Sequence, residues 1–124
     1  MERRLVPAVS PFANTVGYSR AVRVGAHVYV SGTAPVGCDS ADAYAQARQC
    51  LEIIVAALAE LGARPEDVVR TRVFITDPGD WEAIGRAHGE VFGDVQPASA
   101  MLVVAGLLDP AGKVEIEADA VVGD

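Results

Sequence analysis

Residues 97–122 read PASAMLVVAGLLDPAGKVEIEADAVV, and the two periodicities inside that stretch decide the fold class. Residues 100–108 form a nearly continuous apolar run, the pattern of a strand buried on both faces. After a turn at Asp109-Pro110-Ala111-Gly112, Val114, Ile116, Ala118 and Ala120 alternate with Glu115, Glu117 and Asp119, the period of a strand with one buried face. The stretch is expected to be a closing strand pair, its first member central and its second carrying carboxylates. Those carboxylates are either solvated on an outer face or held at a pocket.

Upstream, residues 1–17 hold Pro7, Pro11 and Asn14 with little periodicity and read as an extended arm packed along the domain. Residues 21–24 and 27–31 flank Gly25-Ala26, and glycine in the first place of a two-residue connection suits a type II′ hairpin because it accepts positive φ without steric cost. A turn-rich loop over residues 32–39 follows, with Asp39 or Ser40 able to cap the next helix. From residue 42 to 61, Tyr44, Ala47, Leu51, Ile54, Leu58 and Leu61 recur at spacings of three and four, a single core-facing stripe that Gly62 ends. Pro65-Glu66-Asp67 can start a short turn of helix before a strand over residues 69–76. On that strand Val69, Thr71, Val73 and Ile75 share one face; Arg70, Arg72, Phe74 and Thr76 share the other, either a solvated edge or an anion-friendly wall. Asp77 or Asp80 can cap a second helix with Trp81, Ile84, His88 and Val91 or Phe92 at helical spacing, closed by Gly93. Gly85 and Gly89 each cost that helix about 1 kcal/mol relative to alanine, so close packing or local flexibility is expected there. The order β-β-α-β-α-β-β gives an α+β fold, one sheet with two helices on one face. The other face then needs cover, and oligomerisation supplies it.

At 124 residues, 51% hydrophobic and 22% charged, the chain is long and apolar enough for one core, and residues 1–124 read as a single domain. Seventeen acidic against ten basic residues give a net charge of −7, so nucleic acid is not an expected partner. Arg3 and Arg4 lead into a proline-containing stretch rather than an apolar signal core, and no run approaches the roughly 20 residues that span a bilayer, so a cytoplasmic protein without a membrane partner is expected. Cys38 and Cys50 read as reduced structural thiols. His27 and His88 have no second ligand at metal spacing, and the chain lacks the nucleophile-elbow, phosphate-loop, dinucleotide and zinc-protease signatures. Composition and spacing stop at an oligomeric α+β domain.

Six pieces in order carry a resemblance: Gly17-Tyr-Ser-Arg-Ala-Val22, Val30-Ser-Gly-Thr-Ala-Pro35, Val68-Val-Arg-Thr71, Phe74-Ile-Thr-Asp77, Pro97-Ala98 and Val114-Glu-Ile-Glu-Ala118. Together, from about Gly17 to Val122, they resemble the Rid family, also called YjgF/YER057c/UK114. The resemblance implies a chorismate-mutase-like fold, a homotrimer whose sheets pack into a central barrel, and small-molecule clefts between subunits. It also implies hydrolysis of enamines and imines to a keto acid and ammonia with no metal or cofactor, in the deaminating members. There an arginine after Pro-Ala grips the substrate carboxylate. In this chain that position is Ser99, which cannot offer a charged bidentate fork. The family's frequent helix asparagine aligns with Gly85, and its cysteine with Met101.

Tyr18, Ser31 and Glu115 are retained. By the resemblance, Glu115 and Tyr18 form the catalytic set, Glu115 orienting or activating the water. Ser31, Gly32, Ser99, Gly85 and Met101 line the ligand site. The leading expectation is a trimeric metabolite-site protein whose deaminase activity on amino-acid-derived imines is lost or redirected to a ligand without a carboxylate. The alternative is an active deaminase in which Arg72 or Arg20 replaces the missing cation. A ribonuclease is a minor third reading, and the acidic balance with no basic run argues against it.

Overall fold

The computed structural model describes residues 2–37 and 41–123; Cys38 and the candidate caps Asp39 and Ser40 lie outside the described residues. Among the described residues six strands, β1 (Arg3–Pro7), β2 (Ser19–Val24), β3 (His27–Thr33), β4 (Val68–Ile75), β5 (Ala98–Val103) and β6 (Val114–Val121), form one sheet in the order β1-β2-β3-β6-β4-β5. Only β4 and β5 run parallel; every other neighbouring pair is antiparallel. Helices α2 (Ala43–Glu60) and α3 (Trp81–Phe92) pack on each other and on one sheet face, so the mixed α+β sheet with a single helix layer is as the sequence implies.

Local chemistry sets these elements. Gly25 at φ +60° turns the two-residue hairpin that pairs Val24 with His27. The Asp42 carboxylate accepts from the Ala45 backbone N–H at 2.8 Å and caps α2. Gly62, at φ +78°, ends that helix, with its N–H donated to the Ala59 carbonyl and that of Ala63 to Leu58. Between them Ala47, Cys50, Leu51, Ile54 and Leu58 are buried on the sheet side, where α2 packs on β2, β3 and β6. Gln46, fully buried, locks the approach to β6: its Nε2 donates to the Ala111 carbonyl and its Oε1 accepts from the Lys113 N–H at 2.7 Å.

The arrangement corrects the sequence reading at four points. The apolar run and the acidic strand are not a pair, because β5 lies at the sheet edge against β4, while β6 crosses back to lie between β3 and β4. The β4–α3–β5 unit is a parallel crossover, and a parallel strand after a helix docks beside the strand it left. Consequently β5 ends at Val103 and is exposed at all six positions, including Met101, Leu102 and Val103, instead of being central. The arm is not merely extended: residues 3–7 add β1 to the sheet, and a four-residue helix, α1 (Ala13–Val16), precedes Gly17. On β4 the inward phase starts from Val68, with a register shift before Arg70 that leaves Val69 49% exposed. Of the two alternatives for Gly85 and Gly89, close packing is not what is found, since a Cβ at either would meet open space among the described residues.

Ile54 is 0% exposed at the centre of the helix–sheet core. Ile54→Ala should lower stability by about 2–5 kcal/mol through lost transfer energy and a residual cavity, read as a reduced urea midpoint at unchanged slope.

Candidate functional site

The sequence-named residues fall into two clusters. The first forms at an irregularity in β3. Val30 pairs with Ala118 and Thr33 with Ile116, so Ser31 and Gly32 together oppose the single residue Glu117 of β6. This β-bulge aims the Ser31-Gly32 segment toward the neighbouring carboxylate. A Cβ at Gly32 would lie 2.6 Å from Glu115 Oε2, so the glycine is what lets that carboxylate rest against the β3 backbone. Ser31 Oγ donates to the Ser19 carbonyl at 2.7 Å, which ties the bulge to the start of β2 beside half-buried Tyr18. Arg20 closes the cluster from β2: its Nη1 donates to Thr33 Oγ1 at 2.6 Å and to the carbonyls of Ser31 and Gly32 at 3.4 and 3.3 Å.

Glu115 itself is half-buried, across from Phe74 of β4. Burial, and then the charge of Glu117, push its carboxyl above the ordinary glutamate value, with Arg20 opposing in part. Glu117 and Asp119, on the same sheet face, share Arg72 of β4 at 3.1 and 3.5 Å. The outward face of β4 is thus an anion-pairing wall for its own sheet.

The second cluster lies on the opposite, helix-covered face near the β5 edge. Ser99 is in register with Thr71 and Met101 with Val73, both inward residues of β4. Fully buried Thr71 Oγ1 lies 2.8 Å from Ser99 Oγ and 2.8 Å from His88 Nε2 of α3. Burial lowers the His88 pKa, which favours neutral imidazole. Gly85 is half-buried on α3, one turn before His88. Within one chain, then, Ser31, Gly32 and Glu115 come together next to the segment that carries Tyr18, whereas Ser99, Met101 and Gly85 do not join them.

Sequence reasoning missed Thr71 and the placement of His88 beside it. The available signals were a lone hydroxyl among inward β4 positions and a lone imidazole on an apolar helix stripe. Among the described residues no group of three His, Cys, Asp or Glu side chains could hold a metal ion, and no helix is long and apolar enough to cross a membrane.

Residues 9–122 match the family model described as Endoribonuclease L-PSP. The fold superposes on Rv2704 of Mycobacterium tuberculosis, a member of the YjgF/YER057c/UK114 family, with a TM-score of 0.91 and 45% identity, covering 98% of this chain and 100% of that one. The chain belongs to the YjgF/YER057c/UK114 family. A RutC family protein of Sinorhizobium fredii, y4sK, is 39% identical over 107 residues, 82% of this chain and 83% of its own. The Escherichia coli protein TdcF, solved with bound serine, is similar at a TM-score of 0.80 and 31% identity, covering 97% of this chain and 94% of that one. The family's shared sheet therefore carries both clusters here, one on each face.

Because the folded Glu115 holds its proton more firmly than the unfolded chain does, its stability contribution is fully present below the ordinary glutamate pKa and is lost as pH rises through its higher folded value. Glu115→Gln should remove that segment of the pH–stability profile and raise the melting temperature at neutral pH relative to wild type. Thermal melts from pH 4 to pH 8, with the Glu115 carboxyl followed by NMR, check both.

Proposed function

We propose that this protein is a homotrimer with small-molecule sites between copies, related to the enamine and imine deaminases, in which action on carboxylate-bearing imines is lost or redirected. The observation that carries the reading is Ser99. At the position where deaminating relatives hold a carboxylate-gripping arginine stands a serine whose Oγ is hydrogen-bonded to Thr71. A hydroxyl donates one neutral hydrogen bond, whereas an arginine offers two parallel charge-assisted ones.

The shared-site reading is supported by the split between the two clusters. Glu115 and Ser99 sit on opposite sheet faces of one chain, so a single ligand touches both only when the Ser99 edge of one copy meets the Glu115 face of another. The exposed apolar side chains of β5 are suited to that contact: Met101, Leu102 and Val103 are 37%, 44% and 57% exposed in the isolated chain.

In such a cleft Glu115 is the general base. It takes a proton from water as the water oxygen adds to the imine carbon and returns that proton to the nitrogen, giving a carbinolamine; it then carries the carbinolamine hydroxyl proton to the nitrogen, so that the C–N bond breaks, the carbonyl forms and ammonia leaves. A carboxylate whose proton affinity is raised by burial is suited to both transfers. The Ser31-Gly32 bulge lies on the same side, tied to the segment that carries Tyr18. The candidate substitute cations are each held through Nη1: Arg72 by Glu117 and Asp119, Arg20 by three acceptors of β3. That engagement favours loss or redirection over a rescued deaminase, and the net charge of −7 disfavours a polyanionic substrate.

Sedimentation at micromolar concentration should give a trimer; a stable monomer overturns the shared site. With 2-aminoacrylate or 2-iminobutyrate generated in situ, the wild-type chain should accelerate keto acid formation little. Ser99→Arg should raise kcat/KM roughly tenfold to a hundredfold, the equivalent of about 1.5–3 kcal/mol for a charge-assisted pair kept in the transition state. Wild-type turnover equal to that of an arginine-bearing relative in the same assay overturns the reading.

A further inference from the structure

Ser99 is not an isolated replacement. Thr71 Oγ1 has two neighbours at hydrogen-bonding distance, His88 Nε2 at 2.8 Å and Ser99 Oγ at 2.8 Å, yet a hydroxyl carries one proton. The buried hydroxyl satisfies its one proton by donating to one partner while accepting from the other, so the three groups form a chain with a common direction. In one polarity His88 Nε2–H donates to Thr71, Thr71 to Ser99, and the Ser99 proton points outward. In the other, Ser99 donates to Thr71, Thr71 to His88 Nε2, and Ser99 presents lone pairs outward. The inner members are fixed, since Thr71 is 0% exposed and the His88 ring lies 4.9 Å from buried Phe92, tilted by 50° to its ring. The outer end is open, because Ser99 lies on the exposed edge strand.

We infer that His88 and Thr71 are positioning residues that present Ser99 as a neutral, direction-switchable contact, and that the site takes a ligand bearing a primary carboxamide where the arginine-bearing relatives take a carboxylate. The inference rests on the ligand-site reading above and specifies the ligand class for it. A carboxylate placed at Ser99 would find one donor and no countercharge, whereas a carboxamide carries both a carbonyl acceptor and N–H donors and satisfies either polarity. Tautomerisation of neutral imidazole reverses the chain without moving a heavy atom. Burial of His88 holds that neutral form, which an ionic relay would not use.

The test uses the full-length assembly and two probes of nearly the same shape, pyruvamide and pyruvate, titrated by protein NMR with the His88 ring nitrogens observed. Pyruvamide should bind roughly tenfold more tightly, the scale of leaving a polar partner unmatched. Thr71→Val should abolish the preference, Thr71→Ser should restore it, and Ser99→Arg should reverse it toward pyruvate. The His88 tautomer signals should move on pyruvamide binding in wild type and stay still in Ser99→Ala. Equal or tighter pyruvate binding by wild type overturns the inference, as does an unchanged preference in folded Thr71→Val. Reversal by Ser99→Arg with no effect of Thr71→Val leaves the ligand site standing and removes the relay. If neither probe binds wild type or Ser99→Arg at millimolar concentration, the site reading falls with it.

Discussion

The structure depends on β6 lying between β3 and β4 with its alternation in phase. Val114, Ile116, Ala118 and Ala120 are each at most 1% exposed under the helices, so every second residue of this strand is committed to the core. A slip of one position would bury Glu115, Glu117 and Asp119 and expose the apolar set, a change no compensating contact could offset. The strand also joins two halves that would otherwise separate, the β1-β2-β3 meander and the β4–α3–β5 crossover. Buried Gln46 holds the turn into β6 at both its carbonyl and its N–H, which fixes where the alternation begins. Once register is set, Glu115 has nowhere to project except beside the β3 bulge.

Much of this was legible because it is written in local periodicity. The α2 stripe, the Gly25-Ala26 hairpin, the Gly62 stop and the inward set of β6 each follow from side-chain spacing or from a φ that glycine accepts. The neighbours of β5 did not follow, since an apolar run looks the same in a strand covered by its own chain and in an edge left for another copy. The bulge at Ser31-Gly32 was also hidden: it appears only as two residues facing one across a ladder, a non-local property. Glu115 and Ser99 were reached through resemblance to a family, and their separation onto two faces required the β4 register with both β5 and β6. The link between Ser99 and His88 was invisible for the same reason, since the residue joining them belongs to a third element.

The three carboxylates of β6 show how that register differentiates chemically similar groups. Arg72 reaches Glu117 and Asp119 and balances part of their charge, although its 40% side-chain exposure keeps each contact in the range of about 0–1 kcal/mol. Glu115, one pairing step further along, faces Phe74 instead of an arginine. The cation that opposes its upward shift is Arg20, whose Nη1 is held by the β3 backbone and Thr33 and which makes no ion pair with it, so its charge is left the least compensated of the three while Glu117 repels it. A carboxylate that merely decorated a solvated face would not need a glycine bulge to rest against, nor would the bulge need an arginine clasping both its carbonyls. The electrostatic asymmetry and the backbone irregularity converge on one oxygen, Glu115 Oε2 against Gly32. The sheet thereby keeps one carboxylate partly desolvated and proton-hungry while its neighbours stabilise the strand that carries it.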